Sequence, residues 1–422
     1  MPPVISRFSA VFKCCCMVSV LAYASLYGQL GVASQVSVEG IGGTAAQADI
    51  LPSTKVISLG WLVFDSETLK HWRADVDSMD SGVMHIKPLW ASQEKGQRKK
   101  VFMLLPKKSG SYRLAILKFL EIIQHNDLAA DITLVHFDKN TERGISALMK
   151  AQAEQADLIF SMGSESTALV NTHFRGNSIP VVASTTKDPV QLGMVDGYTG
   201  GSGTNIAYTS LNIPMDVQMN YLLTLRPELK AIGLLYNKNH KQVMATEVVP
   251  IKKKFEELGL HVIDMAVSSR SDAKQELQER MPIAMQEMQG VDPGFDNSLL
   301  WITSSTAAFS EIATINQFSG NVPVLGSIPN IVTEGQDSAV LAIGIDRRNN
   351  AHLASIYAVK ILKQQATAGQ LDVGVVTPPD IAINFMVAKK IGLKIPFQFF
   401  ESASFIYNYQ GKPARMFGQT VE

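Results

Sequence analysis

From Lys99 onward the chain alternates short, uninterrupted apolar runs with longer segments whose apolar residues recur every three or four positions. Residues 101–105 are a run of the first kind, a buried strand. Residues 112–125 place Leu114, Ile116, Leu117, Leu120 and Ile123 at helical spacing. The pattern then predicts strands at 132–137, 158–162 and 181–184, with helices at 142–155 and 166–172 between them. A glycine-rich stretch, Thr199-Gly200-Gly201-Ser202-Gly203-Thr204, interrupts it and reads as a flexible, hinge-proximal loop, since the phosphate-loop spacing is absent. The alternation restarts with strands at 231–236, 262–267, 298–303 and 322–326 and helices at 215–225, 246–258, 273–289 and 305–316. Strands separated by helices pair in parallel, because each helix carries the chain back across a sheet face. The chain is therefore an α/β protein of two Rossmann-like lobes, and such sheets bind ligands at the carboxyl ends of their strands.

The first residues follow a different rule. Arg7 and Lys13 precede the uncharged run 14–28, rich in Met, Val, Leu, Ala and Tyr, which is the pattern of a signal peptide. Val32-Ala33-Ser34 and Ala46-Gln47-Ala48 both satisfy the small-x-small cleavage rule. The first is nearer the run, so 1–34 reads as a leader. The alternative is an uncleaved anchor, since 14–33 is roughly the length that spans a bilayer. Cys14, Cys15 and Cys16 are the chain's three cysteines, and they precede the apolar run instead of closing it, which argues against a lipoprotein. Without the leader no thiol remains, which excludes disulfides, thiolate catalysis and cysteine zinc sites. Lys plus Arg and Asp plus Glu number 38 each, with no block of five like charges, so nothing implies nucleic acid or an anionic membrane as partner. Residues 35–98 form a poorly patterned extension with one apolar strand candidate, 55–64, and the tryptophans Trp61, Trp72 and Trp90. The tail 397–422, aromatic around Gln410-Gly411, reads as a hairpin packed on the second lobe.

Three fragments carry a resemblance. Ser178-Ile179-Pro180-Val181-Val182 leads to Thr186-Lys187-Asp188-Pro189-Val190-Gln191-Leu192-Gly193. Leu225-Arg226-Pro227 leads to Ile232-Gly233-Leu234-Leu235-Tyr236-Asn237. Ile383-Asn384 leads to Ala388-Lys389-Lys390-Ile391-Gly392-Leu393 and Ile395-Pro396. In order and spacing these resemble the ABC-transporter substrate-binding family, whose members include binders of tryptophan and other aromatic amino acids. The resemblance implies the type I periplasmic-binding-protein fold, in which the chain crosses between the lobes three times: near 205–210, at 342–346 and near Asp372. Helix 350–365 would return to lobe one, and the strand around Val375 and helix 385–391 to lobe two. Lobe one is then 99–207 plus 342–371, and lobe two 208–341 plus 372–396. The resemblance further implies a periplasmic, monomeric solute-binding component of an ABC importer, needing no cofactor, with a membrane permease as partner and an amino acid among the candidate solutes. Hinge closure would capture the solute. The alternative uses the same closure to sense a ligand and signal to a membrane partner.

Candidate ligand contacts follow from position at the carboxyl ends of strands. In lobe one they are Ser109, Ser111 and Tyr112, then Gly163, Ser164, Glu165 and Ser166, then Thr185, Thr186 and Asp188. Hydroxyls and N–H groups at a helix start suit a carboxylate. In lobe two they are Tyr236, Asn237, Thr303, Ser304, Ser305, Ser327 and Asn330. The family often has Asp in the loop at 303–305, where this chain has only hydroxyls, and its first loop, 106–112, departs from the family's His-Pro type. Glu165 or Asp188 would then pair an ammonium. Plainer roles compete: Ser166 as a helix cap, Asp188 before Pro189 as a turn, Tyr236 as a strand-end aromatic, and Asn237 and Asn239 as turn residues.

An enzyme is not expected. Ser184-Thr185-Thr186-Lys187 and Lys108-Ser109-Gly110 superficially match serine β-lactamase motifs, but their order is reversed and the first ends a strand instead of opening a helix. No G-x-S-x-G or H-E-x-x-H occurs, the eight histidines have no metal spacing, and His136 on its apolar strand reads as a core residue.

Overall fold

The computed structural model describes residues 57–59, 61–90 and 98–421, so the expected leader, its cleavage sites and the three cysteines lie outside the described residues. Among the described residues no helix is long and apolar enough to cross a membrane.

Strand Lys99–Leu105 shows how the sequence specifies a sheet covered on both faces. Val101, Met103 and Leu105 pack in one core with helices Gly110–His125 and Arg347–Leu362, and Phe102 and Leu104 in another with helices Thr141–Ala153 and Ser164–His173. Alternate side chains point to opposite faces, so a strand with helices on both sides must be apolar throughout. Across the lobe-one sheet the strands run Gly374–Val375, Ile206–Ser210, Val181–Ser184, Leu158–Met162, Lys99–Leu105, Ala130–His136, Val83–Pro88 and Trp72–Val76. All pairings are parallel except the last two, which are antiparallel. The lobe-two sheet runs His261–Val267, Ala231–Asn237, Ser298–Ile302, Val324–Gly326 and Leu341–Gly344 in parallel, then Asp380–Asn384 antiparallel to the last of these. The tail extends this sheet with Ala403–Tyr407, Pro413–Met416 and Gln419–Thr420.

Several expected boundaries move. The segment 55–64 is two strands, Ile57–Leu59 and Leu62–Phe64, paired antiparallel. The described residues 66–90 of the extension join lobe one, where Trp72 is fully buried and meets Trp90 edge-on with ring centroids 4.7 Å apart. Its poor patterning reflects an edge strand, Trp72–Val76, of which only Trp72 is buried. Strand Ile206–Ser210 lies within the lobe-one sheet, so the first crossing is 211–214. Gly374–Val375 pairs with Thr209–Ser210 in lobe one, not in lobe two as expected, and the third crossing is 376–379. Gly374 permits this docking: a Cβ there would stand 3.0 Å from both Leu353 Cδ2 and Thr209 Cγ2. The helix expected at 305–316 is two, Thr306–Phe309 and Ile312–Ser319.

The glycine-rich stretch is also not a loose loop. Gly201 has φ +71°, and a Cβ on it would fall 2.1 Å from the carbonyl of Gly369. Gly203 donates to that carbonyl at 3.0 Å, and Gly200 N to Asp372 Oδ1 at 2.7 Å, so the glycines serve close backbone contact.

Polar side chains stitch the crossings together. Asn350, fully buried, donates to Ser210 O at 2.9 Å and accepts from Thr185 N at 2.8 Å and from Thr209 Oγ1 at 3.4 Å. Asp380 accepts from Asp346 N and Asn349 Nδ2, both at 2.8 Å, tying the second crossing to the third. Thr185 adopts φ +52°, a costly conformation for a β-branched residue, and the Asn350 bond to its N–H holds it there. Asn350→Ala should strand that N–H and the Ser210 carbonyl, destabilising the protein by roughly 2–4 kcal/mol in urea titration. A change near zero would remove Asn350 from this role.

Candidate functional site

The carboxyl ends of the two sheets face each other, and an ion pair joins the two lobes there. Lys187, three residues past strand Val181–Ser184, places Nζ 2.7 Å from Oε1 of Glu247, with the two side chains 15% and 3% exposed. Glu247 lies in a π-helical turn, Met244–Val248, inserted before the helix Val249–Glu257, where a single helix 246–258 was expected. Such turns re-aim a side chain relative to a regular helix. The same carboxylate accepts from Ser304 N at 2.8 Å, Ser327 Oγ at 3.0 Å and Asn212 Nδ2 at 3.1 Å. Ser304 Oγ also donates to Oε1 and accepts from Lys187 Nζ. Burial pushes the Glu247 carboxyl up, but the Lys187 charge and the hydrogen bonds from Lys187 and Ser304 outweigh it and hold the pKa at about 2.

Around this pair the expected residues separate into two groups. Ser304 and Ser327 bond Glu247 directly. Ser164 Oγ accepts from Lys187 N at 2.9 Å and from Thr186 Oγ1 at 3.4 Å, fixing the loop that carries the lysine. Ser109 caps the helix Gly110–His125, accepting from Ser111 N at 3.3 Å. Tyr112 stands one residue further on, half-buried, its hydroxyl against Gly163, where a Cβ would lie 2.1 Å from it. Burial, and next the Glu165 charge, push the Tyr112 phenol up to about 12 against the opposing Arg347 charge.

The others stand apart from this pair. Ser166 is not a cap: it is fully buried, shares a hydrogen bond with Ser161 Oγ at 2.8 Å and donates to Leu104 O at 3.0 Å. Asp188 serves the turn it opens, accepting from Val190 N at 2.9 Å, Gln191 N at 3.2 Å and the Tyr198 hydroxyl. Burial raises its pKa against those three bonds. Glu165 pairs with Lys139 at 3.1 Å. Tyr236 turns toward the outer helices and donates to Asp264 Oδ1 at 3.1 Å, while Asn237 accepts from Asn239 N at 2.8 Å in a local turn. Thr303 is buried and donates to Leu235 O at 3.1 Å, Ser305 is buried at the start of a short helix, and Asn330 is exposed. A hollow of about 470 Å³ lined by Pro180, Thr204, Asn205, Gln364 and Gly369 lies at the amino ends of the lobe-one strands, away from this cleft, and none of its lining residues is charged. Among the described residues no group of three or more His, Cys, Asp or Glu is placed to hold a metal.

Sequence reasoning missed Lys187, Glu247, Asn212 and Arg347 as site residues. A signal for Glu247 exists: its helical neighbours at i−4 and i+4, Val243 and Ile251, are apolar and fully buried, and an acid on an apolar stripe is a buried charge in need of a partner. Replacing either partner alone with Ala should cost roughly 3–5 kcal/mol by leaving the other unpaired, and the double variant should cost less than the sum by at least about 1 kcal/mol in urea titration. Because the folded carboxyl titrates near 2 instead of 4.5, its contribution is complete above about pH 4.5 and is lost as the pH falls toward 2. Glu247→Gln should therefore flatten the acid limb of stability in that window, as measured by melting temperature against pH; an unchanged slope would show the pair carries none of it.

A family model described as "ABC transporter substrate binding protein" matches residues 119–405, more than half of the chain. The chain is 22% identical over 272 residues, 64% of its length and 72% of the relative's, to a tyrosine-binding protein of Clostridioides difficile (strain R20291). Its fold matches the ligand-free, open structure of a substrate binding protein with adhesive properties from Clostridium difficile, with a TM-score of 0.56, 19% identity and coverage of 73% of this chain and 98% of that one. It also matches an ABC domain in complex with L-Trp from Streptococcus pneumonia, with a TM-score of 0.55, 18% identity and coverage of 74% and 100%. With two α/β lobes joined by three crossings, the fold is that of a type I periplasmic binding protein, and the chain belongs to the ABC transporter substrate-binding protein family.

Proposed function

We propose that this chain captures a small organic solute between its lobes, outside the cytoplasm, and presents it to the membrane permease of an ABC importer. The observation that carries the reading is the ion pair Lys187–Glu247, which joins the carboxyl end of one parallel sheet to that of the other. Any hinge motion about 211–214, 345–346 and 376–379 must make or break it, so the cleft is where a third component biases the equilibrium between closed and open states. Serine and threonine hydroxyls, helix starts and two cations gather there, a lining suited to a polar or anionic solute. One similar protein is named as tyrosine-binding and another is a domain in complex with L-Trp, which puts aromatic acids, amino acids among them, first in a screen.

Among the described residues the cleft supports binding more than catalysis: Lys187 is paired with Glu247, and Ser304 and Ser327 are hydrogen-bonded to the same ion-paired carboxylate, with no histidine engaged to them. A thermal-shift screen of aromatic acids, amino acids, purines, sugars and vitamins should give one chemical class with a saturable stabilisation, about 2.7 kcal/mol at a hundredfold excess over Kd. Silence across all classes would overturn the solute-binding reading.

A further inference from the structure

Glu247 is fully occupied by the protein itself. Lys187 Nζ, Asn212 Nδ2, Ser304 N, Ser304 Oγ and Ser327 Oγ all donate to its two oxygens, and a carboxylate offers about four lone-pair directions. The ammonium that a zwitterionic solute would bring to this acid is already in place, as the amine of Lys187. A second ammonium has neither a free lone pair to accept it nor a charge left to neutralise.

A different cation in the cleft has no such partner. Arg347 opens the helix Arg347–Leu362 directly after the second crossing. Among the described residues its guanidinium makes no hydrogen bond and no ion pair. The groups whose electrostatics reach it are Asp346, which accepts from Arg348 N at 2.8 Å, and the Tyr112 phenol. Burial lowers the Arg347 pKa, with Asp346 and Tyr112 opposing that shift. A half-buried guanidinium with no protein partner is open to a planar anion, which it can meet through two parallel hydrogen bonds. Tyr112 is placed to take part, since its hydroxyl makes no hydrogen bond among the described residues and lies beside Gly163 at the start of the helix Ser164–His173.

We propose, on the solute-binding reading above, that the solute is a small carboxylate that needs no α-ammonium: Arg347 and Tyr112 take the carboxylate, and Lys187 occupies the place at Glu247 that an ammonium would fill. Specificity then rests on the anion and on the body of the molecule.

Titration calorimetry with matched probes tests this on the purified protein. The probes are 3-phenylpropanoate, 4-hydroxyphenylpropanoate and indole-3-propanoate, each beside its α-amino acid and its arylethylamine. The propanoate of the preferred set should bind within about threefold of the amino acid or more tightly, and the amine should not bind, because only the first two carry the anion. Arg347→Gln should weaken the propanoate roughly tenfold to a hundredfold and Arg347→Lys should restore part of that, with melting curves confirming that both variants fold. Lys187→Met frees Glu247 and should shift preference toward the amino acid by about tenfold or more. An amino acid that binds wild type with its propanoate about a hundredfold weaker would overturn the proposal and leave solute binding intact. So would failure of all nine probes where sugars or nucleosides bind. If no class binds, the solute-binding reading fails as well.

Discussion

A carboxylate buried between two lobes is the constraint to which the rest of the cleft answers. Removing Glu247 from water costs several kcal/mol by itself, and no donor on its own lobe carries the opposite charge. The charge comes from Lys187 on the other lobe, and the remaining lone pairs are met by Ser304, Ser327 and Asn212. Such a pair adds little net stability, because desolvation consumes most of the attraction. What it fixes is geometry: one separation and one rotation of the lobes bring Nζ within 2.7 Å of Oε1. Asn212 is informative in this respect. It sits on the first crossing, accepts from Asp188 N of lobe one and donates to Glu247 of lobe two, so the hinge itself takes part in the network.

That network needs a hinge whose strands do not drift, and the buried amides supply it. Asn350 binds strand Ile206–Ser210 and Thr185 from a helix that belongs to lobe one only by virtue of the second crossing. Thr185 accepts an unfavourable φ, and two residues later the chain presents Lys187 to the opposite lobe. Strain at Thr185, stitching by Asn350 and the reach of Lys187 are parts of one arrangement. Ser164, bonding Lys187 N from the start of its own helix, completes it.

The layered α/β core was legible because burial on both faces leaves a one-dimensional trace: residues 101–105 are apolar without interruption, 158–162 and 181–184 are apolar but for Ser161 and Ser184, and their strands fall there. The edges were less legible. Trp72–Val76 buries one residue in five positions, and Gly374–Val375 is too short to show a period, so its lobe is set by a close approach that only the folded chain reveals. The site was least legible, for a chemical reason. A hydroxyl at a strand end serves equally to satisfy the backbone, as Thr303 and Ser166 do, or to face the cleft, as Ser304 does, and one residue of register decides which. Charges are less ambiguous, and the acid on the apolar stripe of Val243 and Ile251 was the better clue.

The ion pair also determines what a solute must do to move the hinge. Because Lys187 and Glu247 already meet without a third component, closure does not wait on a ligand to neutralise either charge. A ligand shifts the equilibrium only through contacts that differ between the two states. Arg347 and Tyr112 alone provide no such difference, since both belong to the lobe-one side, whichever way the lobes stand. The differential contact must come from lobe two. Groups there that reach the lobe-one side include Glu247, already saturated, Asp216, whose charge acts on Tyr198, and His240, whose ring feels the charges of Lys187, Glu247 and Glu165. His240 Nδ1 accepts from Val243 N at 3.3 Å, which fixes the ring at the start of the turn that follows. On the solute-binding proposal, anchoring and closing are thus separate tasks, the first falling to a cation beside the hinge and the second to groups of lobe two.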